Sequence, residues 1–366
     1  MAIIDLHFHA LATNDHADCN LSKRAQFGGA AGWLAGALLG TLDEEILDIL
    51  YPQGPAALTS STIWLRLARE IRESTQVDGV VVLALDQIVD SDGAPRSSDI
   101  CVSNTAAAEM IANADVGSKK LYLGASVHPN RLDAIARLEH AKSELNAVLV
   151  KWVPSSQRID PDSALYDDYY RKLAQLGLPL LCHSGPESAI PDCASDERLN
   201  DPRRLRRALD AGVTVIVAHG AAHFMPKLLQ GKGEGDYSAV LRDMLLEADT
   251  RGWRLYTDIS AALISPYRAK RIGELLAAVP SRRFVYGSDF PIFTHDLSLG
   301  ELGRGIDAPL ARQAFKTNNL LDKDVFSKRS VGIPDAVFEN SARVLGLSPD
   351  TEPRSTIGME VFAHNW

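Results

Sequence analysis

The chain has 366 residues, 46% of them hydrophobic and 23% charged, with a net charge of −9 at neutral pH. That length buries a large core, enough for one large domain or two ordinary ones, and the composition is that of a soluble globular protein. The acidic balance and the lack of any basic run exclude an extended nucleic-acid surface, and four cysteines without a CxxC pair (Cys19, Cys101, Cys182, Cys193) fit a reducing compartment better than a disulfide framework.

The first element is the run IIDLHFHA. Ile3, Ile4 and Leu6 have the character of a buried strand, and side chains two apart on a strand share a face, so His7 and His9 converge near its C-terminal end. No basic leader precedes it, and a cytoplasmic protein is expected. The stretch GGAAGWLAGALLG from Gly28 is too short to span a bilayer. It is expected to be a loop or loosely helical insertion, acting as a mobile lid. STIWLRLAREIREST then reads as the last helix of that insertion, packed as the first outer helix of the domain.

Seven further apolar, β-branched runs follow: Val77–Leu85, Lys120–Pro129, Ala147–Pro154, Leu178–Gly185, Val213–Gly220, Arg254–Ser260 and Arg283–Pro291. Most are near-continuous, as parallel strands buried on both faces are. Amphipathic segments alternate with them, among them DAIARLEHAKSELN, DDYYRKLAQLG, DPRRLRRALDAG and AKRIGELLAAV, several closed by Gly or Pro. Eight βα units in order predict a (β/α)8 TIM-like barrel. An open doubly wound sheet is the competitor, but no glycine fingerprint follows the first strand. The predicted barrel spans 1–347, with an insertion at about 10–60 after strand one, a long excursion after strand eight, DAVFENSARVLGL as closing helix, and a tail from 348 to 366.

Catalytic groups of such barrels sit at the C-terminal ends of strands. His7 and His9 end strand one, Lys151 lies on strand four, and His183, His219 and Asp289 end strands five, six and eight. Each alone has a structural explanation: a core histidine, a lysine reaching the rim, a turn-capping aspartate. Their convergence on one face of the barrel does not, because burying unpaired polar groups is costly.

The order HxH, Lys, His, His, Asp on these strands, with HSG, AHG, YGSDFP and FENSARVLGL, resembles the amidohydrolase superfamily and most closely its amidohydrolase-2 branch. The resemblance runs from Ile3 to about Leu347. It implies a metal-dependent enzyme, and the branch holds hydrolases as well as nonoxidative decarboxylases related to aminocarboxymuconate-semialdehyde decarboxylase. The reading is a hydrolase of a small substrate's C–N or C–O bond (amide, lactam, ester or lactone), with a metal-dependent decarboxylase of a small carboxylated substrate as the alternative. A metal-binding barrel without catalysis is disfavoured by the complete ligand set.

By the resemblance, His7, His9, Lys151, His183, His219 and Asp289 supply ligands for one or two divalent ions, with zinc expected, and Asp289 and His219 do the acid–base work. A carboxylated Lys151 would bridge two metals; with one metal, His219 is freed for catalysis. Weaker substrate-binding candidates are His128, Arg158 and His295. Asp258 and Ser260 on strand seven are candidates to line the pocket, whereas His16, His140, His223 and His364 are expected on the surface or in loops. A small-molecule substrate and no nucleic-acid or membrane partner are expected, with a homodimer as the default assembly.

Overall fold

The computed structural model of the chain describes residues 2–22, 59–187, 190, 196–224, 235–291, 300, 303 and 305–347. The expected lid in Gly28–Gly54, most of the excursion's start and the tail fall outside them. Eight parallel strands follow in chain order: β1 (Ile4–His9), β2 (Gly79–Leu83), β3 (Lys120–Ala125), β4 (Leu149–Trp152), β5 (Leu180–Cys182), β6 (Val215–Val217), β7 (Leu255–Asp258) and β8 (Phe284–Val285). Each strand pairs with the next one in the chain.

The sheet then closes on itself. Leu6 N–H donates to Tyr286 O at 3.2 Å, Asp289 N–H to His7 O at 2.8 Å and His9 N–H to Phe290 O at 2.9 Å. Phe8 and Phe290 bridge in parallel, their rings stacked 4.9 Å apart. The architecture is the TIM-like (β/α)8 barrel that the alternation of runs predicts.

Two apolar layers follow from the period of two along the strands. Ile4, Leu6, Val81, Leu83, Leu149, Leu181, Ile216 and Val285 fill the interior, closed below by Val344, Leu345 and Leu347. Phe8, Val80, Val82, Val150, Trp152, Leu180, Val215 and Val217 face outward into a larger layer under the helices. Each fully buried side chain of this kind contributes about 1.5–3 kcal/mol.

Strand β1 breaks the rule once. Asp5 pairs with Val80 but Phe8 with Val82, so Leu6 and His7 together oppose Val81. This bulge lets Leu6 point into the apolar interior while His7 and His9 still face the site, with Phe8 outside. Strict alternation would have set the histidines and Leu6 on opposite faces.

The outer helices are α1 (Ser60–Glu73), α2 (Asn104–Asn113), α3 (Ala134–Ser143), α4 (Asp167–Leu176), α5 (Arg206–Asp210), α6 (Ser238–Arg251) and α7 (Pro266–Ala278). Thr59 and Thr62 form a capping box that starts α1, and Gly177 at φ +61° ends α4 in the left-handed conformation that suits glycine. The excursion after β8 supplies α8 (Ala308–Lys316) and α9 (Leu320–Ser330) before the closing helix α10 (Asp335–Val344).

Helix α9 carries a buried ion pair that faces the barrel. Lys328 Nζ donates to Asp324 Oδ2 at 2.6 Å and to Gly287 O at 2.9 Å, over the Tyr286 ring, and Tyr286 OH also donates to Asp324 Oδ2. Both charged residues are almost wholly buried. Removing one partner strands the other, so Asp324→Ala is expected to lower the free energy of unfolding by about 3–5 kcal/mol. Adding Lys328→Met should recover most of it. Urea denaturation checks both, and a single-variant loss under about 1 kcal/mol would count against this pairing.

Candidate metal centre

The bulge of β1 delivers His7 to the centre of the barrel mouth, fully buried. Its Nδ1 lies 2.7 Å from Asp258 Oδ2, at the end of β7. Asp258 Oδ1 in turn accepts the His219 and Ser260 backbone N–H groups, at 2.8 and 3.1 Å, and the Ser260 hydroxyl at 2.5 Å. Burial opposes ionisation of Asp258, but His7, His219 and these hydrogen bonds outweigh it and hold the carboxyl below its ordinary range. The charged Asp258 therefore accepts the His7 Nδ1 proton, which leaves the Nε2 lone pair facing the mouth.

Three ligand-type atoms meet there. His7 Nε2 and His9 Nε2 are 3.2 Å apart, and Asp289 Oδ1 is 3.2 Å from the first and 3.1 Å from the second. Ligands at about 2.0–2.1 Å from a tetrahedral zinc are spaced by about 3.3 Å, the spacing that this triangle has. Asp289 Oδ2 turns the other way, 3.8 Å from His219 Nδ1. Potential ligand atoms of His7, His219 and Asp289 all lie within 4.8 Å of one another.

Local backbone places the outer two. His219 at φ +55° and Asp289 at φ +71° sit in the left-handed region, costly for residues other than glycine and characteristic of functional sites. With the Ser260 proton committed to Asp258, the 2.8 Å contact between Ser260 Oγ and His219 Nδ1 is donated by the ring. His219 Nε2 is then left with its lone pair.

His183 Nδ1 is 3.3 Å from Glu187 Oε2, while its Nε2 is buried without a hydrogen-bond partner. An orphaned imidazole nitrogen beside the others is what a metal ligand looks like before the ion is added. Lys151 is also buried, with Nζ 2.9 Å from His7 Nε2.

Burial sets the charge states. It pushes His7 down to about 4 and depresses His183 and His219 as well, so these imidazoles are neutral at pH 7 and able to bind a cation. Burial likewise lowers Lys151. Asp289 resists its own burial through His219, His7 and His9 and stays below the carboxylate range. The donor set of imidazole nitrogens and one carboxylate suits zinc or a similar divalent ion.

His128 is buried with both ring nitrogens engaged, Nε2 on Gln157 O at 2.8 Å and Nδ1 accepting Asn130 N–H at 3.1 Å. Arg158 is exposed, ending a short helical turn at φ +58°. His295 and His364 lie outside the described residues. His16 is half-buried and faces Glu109, and His140 is exposed on α3. His223 is in a loop, yet buried and stacked on Phe224. Sequence reading underrated Asp258 and missed Asp5, whose oxygens accept the Ser288 N–H at 2.9 Å, the Ser288 hydroxyl at 2.5 Å and the His7 N–H at 3.0 Å.

The family model described as Amidohydrolase matches residues 4–325. No curated protein sequence matches the chain. Similar solved structures include a TIM-barrel protein of uncharacterised function from Bordetella bronchiseptica, 15% identical, TM-score 0.53, covering 94% of this chain and 99% of that one. A 5-carboxyvanillate decarboxylase from Sphingomonas paucimobilis is 12% identical at TM-score 0.49, covering 95% and 99%. An amidohydrolase II is 14% identical at TM-score 0.49, covering 94% and 100%. Identities this low speak to the fold alone.

Two outcomes follow from the geometry. A Cβ on Gly287 would lie 2.6 Å from His7 Cβ, so Gly287→Ala must displace His7. Chelator competition should show metal affinity about 10–100-fold weaker, and unchanged affinity would refute the placement. Burial raises Asp5 from 3.8 to about 7. A carboxyl that binds its proton more tightly when folded loses stability as pH rises from about 4 to 7. The buried histidines pull the other way over the same window, so Asp5→Asn should make stability rise more steeply with pH than it does in the unaltered chain, as read by thermal unfolding at each pH.

Proposed function

This chain belongs to the amidohydrolase family, and from that premise we propose that it is a metal-dependent hydrolase of a small substrate's C–N or C–O bond, in an amide, lactam, ester or lactone. The observation that supports this most is the division of labour within Asp289. Oδ1 faces the two imidazole nitrogens of His7 and His9, whereas Oδ2 faces His219. One carboxylate can thus help hold a cation and still offer an oxygen to a proton.

His7, His9 and Asp289 would hold the ion, with His183 and His219 completing the set or holding a second one. When bound, a zinc-like ion supplies Lewis acidity and lowers the pKa of its water toward neutrality. Asp289 Oδ2 then takes the proton that the attacking water sheds and returns it to the departing nitrogen or oxygen. Asp258 keeps His7 in one tautomer throughout and fixes the backbone of His219. His219 Nε2 has a lone pair for a ligand or base role.

Lys151 decides between one ion and two. Burial lowers its pKa, which raises the share of neutral amine, the form that captures carbon dioxide as a carbamate, and a carbamate there would offer the site a further carboxylate. Metal content per chain, measured on protein purified without chelator, is expected to be one or two, and mass spectrometry of intact protein would show the carbamate.

Hydrolysis itself is tested by running amides, lactams, esters and lactones in ¹⁸O-labelled water. One solvent oxygen per turnover is expected in the acid product, and Asp289→Asn should lower kcat by about 10²–10⁴-fold. Release of carbon dioxide from a carboxylated substrate with no solvent oxygen taken up would replace this reading with a lyase.

A further inference from the structure

Arg268 lies in the first turn of α7, ten residues after Asp258 at the same mouth of the barrel. It is 5% exposed, and its Nε is buried with no hydrogen-bond partner. Among the described residues no carboxylate comes within ion-pair distance of the guanidinium. The helix does not compensate it, since the positive end of the helix dipole lies in that same turn. A buried cation without an anion is expensive, and proteins keep one where a ligand supplies the missing charge.

Its setting belongs to the metal centre. The charge of Arg268 acts on both His183 and His219, and Asp289 and Glu187 are the carboxylates that act on it most. The connection that carries it is anchored, with Ser265 Oγ donating to Phe224 O at 2.5 Å and Ser265 also capping α7.

We propose that Arg268 binds a carboxylate of the substrate, so that the enzyme acts on carboxylate-bearing small molecules. This rests on the reading of His7, His9, His183, His219 and Asp289 as the catalytic centre. A guanidinium offers parallel N–H donors matched to the two oxygens of a carboxylate, and it stays charged even when buried. A dianionic phosphate at that place would meet repulsion from Asp289 and Glu187, whereas a single carboxylate balances the arginine.

The test is calorimetric binding of acetate, benzoate and phthalate against acetamide, benzamide and phthalamide, using metal-loaded protein and its Arg268→Met and Arg268→Lys variants. At least one acid should bind about tenfold or more tightly than its amide, a preference that Arg268→Met abolishes and Arg268→Lys partly keeps. Metal content should be unchanged in both variants. Unliganded Arg268→Met should melt no lower than the unaltered protein, since it sheds an unpaired buried charge; a lower melting temperature would make Arg268 a structural residue and overturn the proposal.

No acid preferred over its amide, or a preference untouched by Arg268→Met, also overturns it. Chelator-treated protein separates the two readings. An Arg268-dependent preference that survives without metal supports the proposal independently of the metal. A preference that disappears with the metal and ignores Arg268 assigns the anion to the ion, and sinks the proposal while leaving the metal centre intact.

Discussion

The carboxylate of Asp258 is the constraint on which the barrel mouth depends. It is buried and ionised, so every lone pair it presents must be met by a donor. The donors available are the His7 ring, the His219 backbone, and the backbone and hydroxyl of Ser260. Satisfying one charge therefore fixes the tautomer of a residue on β1, the backbone of a residue after β6, and the turn after β7. Three strands distant in sequence are brought into register by one anion.

Closure of the barrel does the same work from the other side. The segment 286–290 pairs with β1 through backbone hydrogen bonds, and Asp5 grips Ser288 through both of its oxygens. Gly287 lies so close to His7 that no side chain fits between them. The left-handed backbone of Asp289 is held between that grip and the Phe8–Phe290 stack, and the Lys328 ammonium holds Gly287 O from outside. Strain at a reactive residue persists only where its neighbours over-determine it, and here they come from β1, β8 and the excursion helix α9.

Much of this was legible in the chain because period and position carry it. Continuous β-branched runs marked all eight strands, and the polar residues that break them near their ends mark one face of the barrel. The bulge in β1 was not legible: IDLHFH reads equally well as regular alternation, and only pairing with Val80 and Val82 shows the extra residue. Asp258 stood in view, yet alternation within RLYTDIS gives no hint of a partner 251 residues away. Arg268 was invisible for a different reason. An arginine three residues into an amphipathic helix reads as surface, and its burial comes from how the β6 and β7 connections pack together. His223, expected on the surface or in a loop, is in a loop and is buried there.

Charge balance links the remaining pieces. Asp258 and Asp289 are held ionised, His7, His183 and His219 are held neutral, and Lys151 places its amine on the same His7 nitrogen that faces His9 and Asp289. That nitrogen has one lone pair, so it can accept from Lys151 or serve a cation, but not both. Loading the site with a divalent ion therefore requires Lys151 to give up its contact, and a charged ammonium beside the ion would be repelled. A lysine whose basicity burial has lowered makes that exchange less costly. The lowered basicity of Lys151 and the exposed lone pair of His7 are thus two sides of one arrangement, set by how deeply β1 and β4 bury them.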